Sequence, residues 1–332
     1  MFDAHTLAII FVGLMGLSVL FYAILDGFDL GVGILLPLND EDDSDTMISS
    51  IGPFWDANET WLVLAVGLLL IAFPVAHSYI FKQLYLPTAL LLISLILRGV
   101  AFDFRAKAVF SHKPTWNKVF KTGSLMAALS QGYMLGMYVM GFESSLAAYS
   151  FSLLSAFGVA AAYSYIGAAW LIMKTEGQLQ IRAVQWAKKT GWICFIGVLA
   201  VSVVNPLINA GVFEKWFSWP NIILILPLPI IGFALFAITY RQLNFLPKVD
   251  DKGCWIPFVS GVMLFTLCFF GLAFSYFPYI VPGKLTIWET AAAPESLSFI
   301  LWGTIVVVPV ILSYTAFSYR VFWGKVRELS YY

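Results

Sequence analysis

The sequence predicts an all-α, polytopic membrane protein with about nine transmembrane helices, forming one integral membrane domain over residues 1–332. Three observations lead to this expectation. Hydrophobic residues make up 60% of the chain and charged residues only 11%, far from the composition of a soluble domain. Apolar stretches of roughly 20 residues, enough to cross a bilayer core of about 30 Å, recur along the whole length. Basic residues concentrate in alternate loops.

The apolar stretches define nine candidate spans, at residues 7–36, 55–73, 79–104, 116–142, 150–174, 184–210, 219–241, 256–280 and 298–322. No basic segment precedes the first stretch and no small-residue cleavage site follows it, so we expect a retained span and not a signal peptide. The loops are too short for a soluble domain and hold no nucleotide-binding glycine motif. We therefore expect chemistry within the membrane or in a partner, and no nucleic-acid partner.

The two sets of loops differ strongly in charge. The set that includes the N-terminus carries only Lys82, Lys215 and Lys284. The other set carries fifteen basic residues: Arg105, Lys107, Lys113, Lys118, Lys121, Lys174, Arg182, Lys188, Lys189, Arg241, Lys248, Lys252, Arg320, Lys325 and Arg327. Because short basic loops stay in the cytoplasm, the N-terminus is predicted outside the membrane and the C-terminus on its cytoplasmic side.

Four carboxylates collect at the predicted cytoplasmic ends of the first two spans. Asp26 and Asp29 close the first span, and Asp56 and Glu59 open the second. Each pair is three residues apart and so shares a helix face. A charge in hydrocarbon costs several kcal/mol, so such residues are expected to be paired, hydrated or functional. The pattern favours a hydrated cytoplasmic half-channel for protons, although Asp56 alone fits a helix start equally well.

The third span ends with a basic and an acidic residue, Arg98 and Asp103. They are five residues apart and point to different helix faces, so each is expected to pair with another helix. The leading partner for Arg98 is an acid of the first two spans. A carboxylate paired in this way would remain charged, whereas unpaired ones could carry protons.

The sequence offers few ligands for a metal or a haem. The only histidines, His5, His77 and His112, lie at span ends or in loops, whereas haem iron in a helix bundle is held by side chains inside the spans. The methionines are ordinary apolar filler. The three cysteines lack the spacing of a disulfide or zinc site. We therefore expect no metal site and no haem in this chain alone. The acidic stretch at residues 40–45 is expected to be a solvated loop.

Several motifs resemble subunit II of cytochrome bd quinol oxidases, including the cyanide-insensitive branch of that family. They run from the first span to the last: Leu25–Gly33 (LDGFDLGVG), Trp55–Val63 (WDANETWLV), Arg98–Arg105 (RGVAFDFR), Gly167–Gly177 (GAAWLIMKTEG), Pro227–Pro229 (PLP) and Tyr319–Val326 (YRVFWGKV). One departure is Asp103, where the family pattern has Glu. The charge is kept, but the side chain is shorter.

The resemblance implies two four-helix bundles and one peripheral helix, the first bundle at about residues 1–145 and the remainder at about 146–332. It implies a partner, subunit I, that carries two haems b and one haem d (or a b-type variant) and oxidises quinol, while subunit II binds no haem. Dioxygen is then reduced to water with cytoplasmic protons, which generates a proton-motive force. A small single-helix accessory subunit and bound quinone or lipid are compatible with this assignment. The acids at residues 26, 29, 56 and 59 lie where the protons must enter.

Two other functions remain open on the sequence alone. Intramembrane acids also occur in ion-coupled transporters, but transporter sites usually lie near the bilayer midplane, and these acids cluster at one face. The chain could also be a scaffold in which the acids only form structural ion pairs.

Overall fold

The computed structural model describes residues 2–107, 112–248 and 251–326, and helices make up most of this part of the chain. The helices are α1 (Ala4–Leu35), α2 (Glu41–Ile51), α3 (Trp55–Ala72), α4 (Pro74–Lys107), α5 (Lys113–Val139), α6 (Leu146–Lys174), α7 (Gly177–Ile208), α8 (Ala210–Phe217), α9 (Asn221–Ile225), α10 (Pro227–Leu243), α11 (Ile256–Tyr276), α12 (Ile287–Thr290) and α13 (Pro294–Val321). Two short strands, β1 (Tyr279–Val281) and β2 (Leu285–Thr286), pair antiparallel. Arg327 of the basic set lies outside the described residues.

Eight helical segments of the described chain are long and apolar enough to cross a membrane, with α9 and α10 counted together. The 27-residue helix α5 is long enough to cross but is not among the eight. It buries polar and small residues, Asn117, Ser124 and Ser130 among them. The predicted all-helical membrane fold is thus confirmed, while the count of nine depends on whether α5 crosses.

The spans pack around α6, which contacts α1, α5, α7 and α11. Helix α1 also contacts α3 and α5, and α4 contacts α3 and α5. Helices α7 and α11 both touch α10. Helix α13 touches α1 and α3 and leaves nearly all of its span exposed. The division into bundles near residue 145 stays a prediction.

Glycines let α1 and α6 approach closely. A Cβ built on Gly31 would overlap the carbonyl of Tyr163, and one built on Gly167 would meet the backbone of Gly31. A Cβ on Gly27 would come within 2.8 Å of the Tyr163 ring. Gly27 and Gly31, four residues apart on α1, therefore contact α6, and this close packing holds the acids of α1 in a fixed position.

Three segments differ from the sequence-based expectation. The acidic stretch forms the start of α2, because Asp40 caps the helix by accepting a hydrogen bond from the backbone of Asp43 and acids favour a helix N-terminus. Helix α4 bends at Leu84, just before Pro87, which has no N–H to donate. Helix α11 ends at Tyr276, short of residue 280, and the chain turns into the β1–β2 hairpin.

Candidate functional site

A buried polar cluster lies where α1 and α4 end and α3 begins. Asp26 and Asp29 come from α1, Asn58 from the first turns of α3, and Arg98 from the last turns of α4. Each of these four residues is at most 1% exposed. Three helices thus enclose charged groups, a costly arrangement unless the groups bind one another.

Arg98 bonds directly to only one of the two carboxylates. Its Nη1 donates to Asp26 Oδ1 at 2.7 Å, while its Nη2 lies 3.8 Å from Asp29 Oδ2. The partner at hydrogen-bond distance from Asp29 is the Asn58 amide, whose Nδ2 donates to Oδ2 at 2.8 Å. The expected pairing of Arg98 with the first span is therefore present, and it is unequal between the two acids.

Asn58 connects the cluster to α13. Its Nδ2 also donates to the Leu25 carbonyl at 3.3 Å, and its Oδ1 accepts from the Tyr319 hydroxyl at 3.1 Å. The sequence analysis did not predict a role for Asn58 or for Tyr319. The available signal was that Asn58 is an amide between two acids in an otherwise apolar helix. Nothing in the spacing pointed to Tyr319, which lies 261 positions further along the chain.

Several buried atoms of the cluster have no hydrogen-bond partner among the described protein atoms. They are Asp26 Oδ2, Asp29 Oδ1, and Arg98 Nε and Nη2. Buried polar atoms in proteins are nearly always hydrogen-bonded, to water where protein groups are lacking. The cluster therefore has donors and acceptors that no described protein group uses.

The two remaining acids, both on α3, differ in how deeply they are buried. Asp56 is exposed in the first turn of α3, and Glu59, one turn further along, is half-buried. Glu59 lies within electrostatic reach of Asp26, Arg98 and Asp56. All four predicted acids thus lie at one end of the molecule.

Asp103 does not join the cluster. It is exposed near the end of α4, and no ion pair involves it within the described ranges. The expected pairing of Asp103 with another helix therefore stays a prediction. The neighbouring Phe102 instead packs on Trp55, with ring centroids 4.9 Å apart.

Besides the acid cluster, a row of hydrogen-bonded side chains extends from α1 into the helix bundle. The Tyr163 hydroxyl donates to Gln131 Oε1 and Gln131 Nε2 donates to the Tyr22 hydroxyl, both at 2.7 Å. Tyr22 lies one helical turn before Asp26. The sequence analysis did not predict these hydrogen bonds, although a glutamine inside an apolar span was a visible signal.

Ion pairs fasten α2 over the same end of the molecule. Asp45 contacts Arg105 at 2.6 Å and Lys113 at 3.1 Å, and Arg182 contacts Asp40 and Asp43. Partial burial raises the pKa of the Asp45 carboxyl, but hydrogen bonds from Lys113 and Arg105 outweigh it and hold that pKa below 3.8. The acidic stretch is therefore an anchored helix that ties α4, α5 and α7 together, and the expected solvated loop was wrong.

The three histidines lie at helix ends. His5 lies in the first turn of α1 and His77 in the first turn of α4, whereas His112 precedes α5 at the opposite end. His5 packs on Trp288 and His77 stacks on Phe81. Within the described residues, no group of three or more His, Cys, Asp or Glu could hold a metal ion.

Comparison with known proteins places this arrangement in a family. The sequence model described as cytochrome bd terminal oxidase subunit II matches residues 7–322. The chain is 28% identical to the cytochrome bd-I ubiquinol oxidase subunit 2 of Escherichia coli (strain K12), over 99% of this chain and 97% of that protein. It is 27% identical to the cytochrome bd ubiquinol oxidase subunit 2 of Bacillus subtilis (strain 168), over 97% and 95%.

The fold agrees with a solved structure. The chain aligns with a chain in the structure of bd oxidase from Geobacillus thermodenitrificans with a TM-score of 0.77, covering 96% of this chain and 99% of that chain at 17% identity. At this identity the likeness bears on the fold alone, and the sequence match carries the assignment. Because the family model covers nearly the whole chain, from the first span to the last, this chain belongs to the cytochrome bd terminal oxidase subunit II family.

Proposed function

We propose that this chain is the haem-free subunit of a quinol-oxidising, oxygen-reducing complex and that it supplies a proton-uptake route from the cytoplasm. Membership of the family makes it a subunit of a bacterial inner-membrane terminal oxidase that pairs with a subunit 1. The further proposal concerns the acids of α1 and α3. It is supported above all by one observation, the unequal sharing of Arg98 between two fully buried carboxylates.

The charges of the buried cluster do not balance. Two carboxylates at 0% exposure face one guanidinium, so the fully ionised cluster carries one excess negative charge. An uncompensated charge away from water is expensive. A proton on Asp29, which Arg98 contacts less closely, removes that excess, and it can leave again without breaking the close Asp26 pair. The cluster therefore suits transient proton binding.

The acids of α3 provide the approach from the surface. Asp56 is exposed, and Glu59 lies about 4.5 Å further along the helix axis, beside the buried cluster. A proton taken up at the surface thus meets Asp56, then Glu59, then Asp29. The positive-inside bias of the loops supports the assignment of this end to the cytoplasm.

We place the haems on the partner. Haem supplies the electron transfer and oxygen chemistry of the complex, and the histidines of this chain do not fit it. The residues of this chain would hold and deliver protons, while the partner subunit I would carry two haems b and one haem d or a b-type variant.

Conservative amide variants test the proton route in the assembled oxidase. Asp29→Asn and Glu59→Gln keep shape and most hydrogen bonding but remove a titratable group. Because a positioned proton-transfer group typically contributes about 10²–10⁴-fold, we expect oxygen consumption with added quinol, normalised to haem, to fall by at least about tenfold. Asp42→Asn is the matched control, since it changes an exposed acid near the same end of the molecule. Unchanged turnover in both variants and in their combination would exclude the route.

A structural role is the second candidate, and the 2.7 Å pair between Arg98 and Asp26 favours it. In that case the carboxylates hold the helices together. The same variants separate the two roles, because a scaffold predicts loss of haem and protein together, whereas a proton route predicts normal haem with low turnover.

A further inference from the structure

An aromatic groove runs along the exposed side of α7 and α10 and shares no lining residue with the acid cluster. Its volume is about 440 Å³. Rings from both helices form its floor: Phe195 stacks on Phe236 at 4.1 Å, and Trp192 packs edge-on against Phe236 and Tyr240. No carboxylate is among the described residues that line it. The groove is thus a long apolar surface open to lipid.

One end of the groove is basic. The ring contacts pair residue 192 with 240 and residue 195 with 236, so the two helices run antiparallel in a defined register. This register brings Lys188 and Lys189, one turn before Trp192, level with Arg241 and Asn244. Arg241 and Asn244 themselves line the groove.

The described residues place no acid in an ion pair with three of these bases. Lys188, Lys189 and Arg241 form no ion pair with any residue that the structure describes. A fourth base, Lys248, lies over the Phe245 ring at 6.0 Å, and Phe245 also lines the groove. Net positive charge therefore remains at the point where the aromatic rings end.

We propose that this groove binds one anionic phospholipid. The phosphate contacts Arg241 and Lys188, and an acyl chain lies along Phe236 and Phe195. The argument is charge and shape complementarity: a phospholipid has one charged end and a long apolar remainder, as the groove requires. Basic pockets between transmembrane helices on the cytoplasmic side bind anionic headgroups in this way. A partner helix would fit only if it placed carboxylates beside the bases and apolar side chains along the aromatic rings. A phospholipid combines both features in one molecule.

Native mass spectrometry of the delipidated, haem-containing complex tests this proposal. Phosphatidylglycerol and phosphatidylcholine of identical chain length are titrated separately. We expect the first phosphatidylglycerol to bind roughly tenfold more tightly than phosphatidylcholine, since each base near a headgroup adds appreciable attraction. Arg241→Gln combined with Lys188→Gln should abolish the preference, and Arg241→Lys should retain most of it.

Two further variants sharpen the test. Arg320→Gln removes a base from the last turn of α13, a comparable position on a helix without the groove, and should leave the preference intact. Phe236→Ala keeps the charges but removes the aromatic floor, and should weaken binding of both lipids. Full preference in the double Gln variant would overturn the proposal, as would unchanged affinity in Phe236→Ala, or a co-purified quinone or protein in the groove that excludes phosphatidylglycerol. The haem spectrum of each variant reports assembly independently of lipid binding.

Discussion

At the scale of single residues, Arg98 holds the most consequential position. It donates to Asp26 at 2.7 Å and lies 3.8 Å from Asp29, with a side chain that is only 1% exposed. Its Nε and Nη2 have no hydrogen-bond partner within the described residues. The guanidinium therefore lies close to both acids, but its single charge can balance only one of them, and it donates a hydrogen bond only to Asp26.

Replacing Arg98 by leucine should destabilise the subunit. Removal of one member of a buried ion pair typically costs about 3–5 kcal/mol, because the partner charge stays buried without compensation. We expect Arg98→Leu to reduce the amount of assembled, haem-containing complex in membranes. Arg98→Leu combined with Asp26→Asn and Asp29→Asn should recover part of the loss, because it removes both stranded charges. Normal assembly of the single variant would mean that Arg98 does not act as a buried structural partner.

At the scale of helices, the crossing of α1 and α6 determines where the acids lie. The crossing is close because Gly31 and Gly167 leave no side chain between the two backbones. Asp26 and Asp29 lie on α1 beside this contact, so a displacement of α1 would move both carboxylates relative to Arg98. Helix packing and site geometry are therefore coupled.

Gly31→Ala should weaken this crossing. The added methyl group would overlap the Tyr163 carbonyl, so the backbones must separate. Overpacking typically costs about 1–3 kcal/mol, and we expect a lower thermal midpoint of the complex together with reduced turnover per haem. Gly13→Ala, on the same helix, has nothing within 4 Å of the new methyl group and is the matched control. Equal behaviour of the two variants would contradict close packing at Gly31.

At the scale of the whole molecule, the polar groups are divided between the two ends. The acid cluster and the α2 ion pairs lie where α1 and α4 end, whereas His5 and His77 lie at the opposite end. All three histidines of the described chain lie at helix ends.

The chain expressed without its partner subunit should therefore contain no haem. The measurement is the optical spectrum of the purified single chain, with the haem-to-protein ratio determined by pyridine haemochrome. Co-expression with subunit 1 should restore haem to the complex, and it serves as the positive control. Stoichiometric haem in the isolated chain would overturn the assignment of the haems to the partner.

The sequence by itself determined the class of protein, the approximate spans and the end at which the acids collect. These features depend on properties that are local in the chain. A membrane demands about 20 apolar residues per helix, and the position of Asp26, Asp29, Asp56 or Glu59 within such a stretch gives its depth directly. The motifs around them also pointed to the family that the comparisons then showed.

The tertiary structure alone decided which groups meet. The spans are apolar on nearly every side, so periodicity gives little information about how each helix is rotated or which helix lies beside it. For this reason the sequence could not reveal that Asn58 bonds to Asp29, that Tyr319 bonds to Asn58, or that Asp103 faces outwards. The role of the acidic stretch was likewise hidden, because its partners Arg105 and Arg182 come from distant helices. Contacts between distant segments depend on the packing of the whole chain, and only the assembled fold contains that information.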